Sequence, residues 1–196
     1  VIAVSQAVLP ELSRCMGRGD DLFASTLRDA LRFALFVILP VTLGTVLISS
    51  EAVNFLFYRG AFNDAAWRGT ASTLFYSALG LPGMACSTVV MRALFARSLP
   101  RQAMVMTAAS VVGTLVFSAA LVFPMGMDGI ALAGSLAFTF SGGVGLFMLR
   151  RHMTAPLRLV SANWAAKTAA CCAAMGAAGA AWKFLWRYPA DASLWM

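Results

Sequence analysis

Phe33-Ala-Leu-Phe-Val-Ile-Leu-Pro-Val-Thr-Leu-Gly-Thr-Val-Leu-Ile-Ser-Ser-Glu-Ala-Val-Asn-Phe-Leu-Phe57 decides the fold class. Until Glu51 this stretch holds no charged side chain, and it is longer than the roughly 20 apolar residues that carry a helix across a bilayer. Four further stretches share its character: Thr70 to Met91, Ala103 to Phe123, Gly129 to Leu149 and Trp164 to Trp182. Ahead of them, Val1 to Leu12 is apolar but too short to span, and it reads as the end of another helix that stops near Pro10. The expected architecture is an all-α membrane protein. It is a polytopic helix bundle with five full transmembrane helices, over about 33–57, 70–91, 103–123, 129–149 and 164–182, plus the end of a sixth at the N-terminus.

Composition agrees. Of the 196 residues 60% are hydrophobic and only 12% charged, and the mean hydropathy is +0.79. A soluble domain carries about 25% charged residues, because it must clothe its surface in polar groups. Lipid removes that demand. No basic n-region precedes an apolar stretch, so no signal peptide is expected, and the chain, beginning at Val1, reads as part of something longer.

Proline and glycine interrupt the first two spans: Pro40 and Gly44 in one, Gly80, Pro82 and Gly83 in the other. Within a bilayer such breaks persist where neighbouring helices or water satisfy the freed backbone groups, so bent helices facing a protein interior are expected. The last span is rich in alanine and glycine, which permits close helix packing.

The net charge is +7, but the basic residues lie between apolar runs and form no continuous patch interleaved with aromatics. Nucleic acid is therefore not an expected partner. Lysines and arginines are retained on the cytoplasmic side of short loops. Counted over alternate loops, eleven fall on one side and four on the other. This places the loops around Arg18, Arg97 and Arg151 in the cytoplasm, and the turn at Asp128 and the C-terminal tail outside.

No catalytic or metal-binding constellation is visible. His152 is the only histidine, and the eight acids are scattered without metal-ligand spacing. Cys15, Cys86, Cys171 and Cys172 form no CxxC pair and read as small apolar residues in helices. No Gly-rich phosphate loop is present. An enzyme, a metal and a cofactor are not expected.

Ionisable groups at the membrane are more informative, because burying them is costly. Arg28 and Arg32 are four apart and share a helix face, with Asp29 three before Arg32 as a potential partner. Arg92 closes the second span. Each has two readings: an interfacial anchor that snorkels, or a contact for a phosphate, whose oxygens a guanidinium meets in bidentate fashion.

Three segments in order resemble the MurJ/MviN family of lipid II flippases, of the multidrug/oligosaccharidyl-lipid/polysaccharide exporter superfamily. Val8-Leu-Pro-Glu-Leu-Ser-Arg14 is similar to the family's LLPxLSR, Leu56-Phe-Tyr-Arg-Gly-Ala-Phe62 to its LFxRGAF, and Gly129-Ile-Ala-Leu-Ala-Gly-Ser-Leu-Ala137 to its GIALATSLA. Arg92-Ala-Leu-Phe-Ala96 is a weaker match to RAFYA. Where the family often has DTRTPV, this chain has Arg97-Ser-Leu-Pro-Arg-Gln.

The resemblance implies a single partial transmembrane domain over 1–196, from the end of the family's eighth helix through its thirteenth. It would be the C-terminal lobe of a two-lobed transporter of the bacterial inner membrane. The implied cargo is lipid II, the undecaprenyl-pyrophosphate-linked peptidoglycan precursor, flipped for cell wall synthesis. Implied partners are that lipid, the membrane lipids and the missing N-terminal lobe. Arg32 matches a cavity arginine of the family, which makes it the first substrate-binding candidate, with Arg28 and Arg92 behind it. The alternatives are an exporter of another polyprenyl-linked sugar or a drug, or a non-transporting membrane scaffold.

Overall fold

A computed structural model describes residues 20–57, 64–151 and 162–185. All the regular structure among them is helical: α1 (Asp20–Phe57), α2 (Asp64–Ala78), α3 (Leu81–Ala96), α4 (Pro100–Met125), α5 (Met127–Arg151) and α6 (Ala162–Leu185). The N-terminal partial helix, the first family motif, Cys15, His152 and the C-terminal tail lie outside the described residues, as does most of the second motif.

The helix α1 starts well ahead of the apolar run at Phe33. Its 38 residues include Pro40 and extend about 57 Å at 1.5 Å per residue, against a hydrocarbon core of about 30 Å. Arg28 and Arg32, which precede the expected first span and share a helix face by spacing, are interior residues of this helix. The face that holds the added turns to the bundle is apolar: Phe23, Ala24, Leu27, Ala30, Leu31 and Ala34 are all buried.

The Thr70 to Met91 span divides into α2 and α3, which meet at a break bent by 41°. Leu79 and Gly80 form the turn, and Pro82 enters in the first turn of α3, where its missing N–H costs nothing. Close packing fixes the break against α5. A methyl group at Gly80 would lie 2.8 Å from the Ser135 Cα. The Ser135 hydroxyl donates to the Tyr76 carbonyl at 2.7 Å, meeting an acceptor near the end of α2.

The α4 and α5 helices form a hairpin through the single residue Gly126, whose φ of 59° and ψ of −129° suit a residue without a Cβ. Small residues of the third motif make this contact: Gly129, Ala133 and Ala137 are buried at four-residue spacing, while Ile130 and Leu136 face outward. The Ser141 hydroxyl, 2% exposed, donates to the Met106 carbonyl across the pair at 3.0 Å.

The main core gathers at one end of the bundle. There the α1 face meets Val89, Val90, Ala93 and Leu94 of α3, Ala103 and Met106 of α4, and Leu149 of α5. The Arg97 guanidinium sits 4.6 Å from the Phe23 ring centroid at this end, and Arg101, Arg150 and Arg151 lie at the neighbouring helix ends. Many large apolar side chains face out instead, among them Leu115 at 66% and Phe123 at 90% exposure, as a lipid-facing surface allows.

By length and apolarity α1, α4 and α5 can each cross a membrane, and the bent α2–α3 pair makes a fourth crossing if it is one span. The helix expected over Trp164 to Trp182 forms as α6, but it does not meet the same apolarity criterion among the described residues. Lys167 and an alanine-dominated composition make it the least apolar of the expected spans. It packs on α1, with Gly179 against Leu47 and Gly44 against Met175.

Candidate functional site

The arginines on α1 stand on a helix braced from two sides. The α3 core holds its inner face, and on α6 the Trp164 indole Nε1 donates to the Arg32 carbonyl at 3.3 Å. That bond ties the first turn of α6 to the α1 backbone at Arg32.

Arg32 is partly buried, its side chain 21% exposed, and its Nη1 lies 4.0 Å from the Asp29 carboxylate, which is 74% exposed. So wet an ion pair contributes little. Arg28 lies one turn earlier. It is half-buried, and its Nε is fully buried without a hydrogen-bond partner among the described residues. An unsatisfied guanidinium nitrogen inside an apolar helix bundle is costly unless an anion arrives to use it.

Arg92 shares that property: its Nε is buried and has no hydrogen-bond partner among the described residues. Yet the structure does not bring it together with the α1 pair in one cavity. Arg92 lines a chamber of 540 Å³ between α3, α4 and α5, to which α1 contributes no lining residue. Two further residues of that chamber, Ser87 and Ser110, went unnoticed in the sequence. Their signal was faint: Ser87 precedes Arg92 by five positions within an apolar run, and Ser110 comes from another helix.

Elsewhere polar groups are spent on structure. The Asp128 carboxylate, in the first turn of α5, accepts from the Ser72 hydroxyl at 2.8 Å and the Thr73 hydroxyl at 3.1 Å on α2. Cys86, Cys171 and Cys172 are unpaired thiols within helices. Among the described residues no cluster could hold a metal ion.

The family model described as lipid II flippase MurJ matches residues 1–191. The chain belongs to the lipid II flippase MurJ family. Curated MurJ relatives include a probable lipid II flippase of Rhizobium tropici, 31% identical over 137 residues, which cover 69% of this chain and 26% of that protein. A probable lipid II flippase MurJ of Rickettsia prowazekii is 25% identical over 176 residues, covering 87% of this chain and 34% of that protein. A solved structure of lipid II flippase MurJ in an inward closed conformation superposes with a TM-score of 0.73 at 20% identity, over 93% of this chain and 36% of that one. The MurJ helical fold is thereby established for this chain.

The chain spans about a quarter to a third of the length of these MurJ relatives. MurJ membership and the apolar helices together make it a multi-pass protein of the bacterial inner membrane.

Proposed function

We propose that this chain supplies helices and cargo-facing arginines to a flippase that moves lipid II across the bacterial inner membrane for cell wall synthesis. Family membership supports the reading, and one observation in the structure carries it. Arg28 and Arg32 stand one helical turn apart on α1, the first with a buried Nε that has no hydrogen-bond partner among the described residues and the second partly buried beside the exposed Asp29 carboxylate.

The chemistry of the cargo explains why such a pair is useful. Lipid II carries a pyrophosphate between its sugar and its polyprenyl chain, and its charge must pass through a region of low dielectric. Two guanidinium groups on one face offer paired donors and matching charge. The buried Nε of Arg28 is costly without an anion and relieved with one, which gives the cargo a differential grip on the protein. In this reading Arg32 and Arg28 hold the pyrophosphate, and Trp164 positions Arg32 by fixing its backbone.

The orientation we propose follows the charge bias. The loops near Arg18, Arg97 and Arg151 face the cytoplasm, where lipid II is made, and the C-terminal tail faces the periplasm. The five-helix reading, with α6 as a full span and α2–α3 as one bent span, belongs to the same proposal.

Complementation tests it. In the full-length protein, Arg32→Ala should abolish rescue of a flippase-depleted strain with expression and membrane insertion unchanged. Arg32→Lys should rescue in part, since it keeps the charge but loses the bidentate fork. Full rescue by Arg32→Ala would assign Arg32 to interfacial anchoring instead.

A further inference from the structure

Three serines of the Arg92 chamber stand at one level, deep in the bundle. The helix ends that carry Arg97, Arg101, Arg150 and Arg151 mark the membrane boundary, where arginines anchor. Counted inward from those ends, Ser87 lies nine residues before Ala96 on α3, Ser110 ten after Pro100 on α4, and Ser141 ten before Arg151 on α5. At 1.5 Å per residue each is about 14–15 Å deep, half of a hydrocarbon core of about 30 Å. Arg92 starts four residues inside the end of α3. The Cα–Cβ bond of a helical residue tilts toward the helix N-terminus, so Arg92 leaves α3 leaning toward Thr88 and the serine level. All five residues line the same cavity of 540 Å³.

The polar groups at this level are not all spent on the helices. Thr88 donates to the Met84 carbonyl at 2.7 Å, Thr107 to the Ala103 carbonyl at 3.0 Å and Ser141 to the Met106 carbonyl at 3.0 Å. A helical serine can bond a carbonyl one turn back in the same way. Ser87 and Ser110 do not: neither hydroxyl carries a hydrogen bond among the described residues, and neither does the buried Nε of Arg92. The described lining holds no acid, and its other walls are the apolar Met84, Met91, Phe95 and Phe138. Unmet donors and an uncompensated charge are costly in such walls. Water serves the donors alone, whereas an anion serves them and cancels the charge. One guanidinium balances one negative charge, so a dianion would leave net charge at low dielectric. A lipid phosphate stays at the boundary, well above this depth. At about 30 Å³ per water, the volume holds a small ion and several waters of its shell.

We propose that the chamber between α3, α4 and α5 holds a monovalent inorganic anion, received by the Arg92 guanidinium and the Ser87 and Ser110 hydroxyls. The site is separate from the α1 arginines, since α1 contributes no lining residue, and it does not depend on the transport reading. It also has a structural consequence. The helices α3 and α4 each pack chiefly on α5 and meet one another little. An anion shared by Arg92 and Ser87 on α3 and by Ser110 on α4 bridges that gap at the middle of the membrane.

Thermal unfolding of the full-length protein in detergent tests the site, with chloride titrated against gluconate at constant ionic strength. A ligand of the folded state alone raises the midpoint with its concentration, so the wild type should gain several degrees, saturably, with chloride. Arg92→Gln should abolish the gain. The double variant Arg28→Gln/Arg32→Gln should keep it, as should Arg151→Gln, an equal loss of charge at another helix end. Ser110→Ala should raise the half-saturating chloride concentration about tenfold, the scale of one hydrogen bond to a charged group. Crystals grown in bromide should show an anomalous peak among Arg92, Ser87 and Ser110. A midpoint indifferent to chloride, a gain that survives in Arg92→Gln or is lost in the α1 double variant, or no bromide peak in the chamber would overturn the proposal. Should Arg92→Gln not fold, an unchanged half-saturating concentration in Ser110→Ala overturns it alone.

Discussion

Gly83→Ala probes the contact that sets the α2–α3 break against α5. A Cβ built on Gly83 would stand 2.8 Å from the Thr139 backbone nitrogen and 2.9 Å from its Cα. Real Cβ atoms do not approach so closely. The obstructing atoms belong to a helix backbone, so no rotamer change relieves them; α3 and α5 must separate. Overpacking of this kind costs about 1–3 kcal/mol, and an unyielding neighbour favours the upper half. Gly134→Ala on α5 is the control, since a Cβ there meets nothing within 4 Å. That variant should gain about 0.5–1 kcal/mol from the helix preference of alanine over glycine. At about 2–4 °C per kcal/mol for a chain of this size, thermal unfolding in a mild detergent should read a loss of several degrees for Gly83→Ala and none for Gly134→Ala. A Gly83→Ala protein as stable as the wild type would refute the close approach. So would equal damage from both variants.

Further expectations concern single contacts. Ser141→Ala removes the hydroxyl that donates to the Met106 carbonyl at a 2%-exposed position, and should cost about 0.5–1.5 kcal/mol in the same unfolding assay. Gly126→Ala places a side chain at a φ of 59°, and should destabilise the α4–α5 hairpin by about 1–3 kcal/mol. Arg28→Met exchanges a half-buried guanidinium, whose buried Nε has no hydrogen-bond partner among the described residues, for an apolar chain. It should leave thermal stability unchanged or higher while reducing complementation, whereas a large fall in stability would show that Arg28 serves the fold.

The sequence disclosed much of the fold because lipid solvation writes it in long apolar runs. The helices α4 and α5 begin and end within three residues of the expected spans. The break at Gly80 and Pro82 was signalled by residues that cannot continue a helix. The early start of α1 was hidden: Asp20 to Arg32 mixes charge with apolar residues, and only the packing of Phe23, Leu27 and Leu31 on α3 reveals them as helix. The site was legible where it is local. Arg28 and Arg32 share a helix face by spacing alone. The seclusion of Arg92 in a different chamber was not legible, because that chamber is assembled from three helices whose side chains meet only in three dimensions. Nor could spacing show that Trp164 reaches the Arg32 carbonyl, 132 residues away in sequence.

The central claim is that this chain serves lipid II translocation through the arginines of α1. The most direct measurement is the share of lipid II reachable from the periplasmic face in cells depleted of their native flippase and carrying the full-length protein. With the wild type, that share should return to normal and the cells should keep their walls; with Arg28 and Arg32 both replaced by alanine, lipid II should accumulate on the cytoplasmic face and the cells should lyse. Normal periplasmic exposure with the double variant, or no exposure with the wild type, would contradict the account.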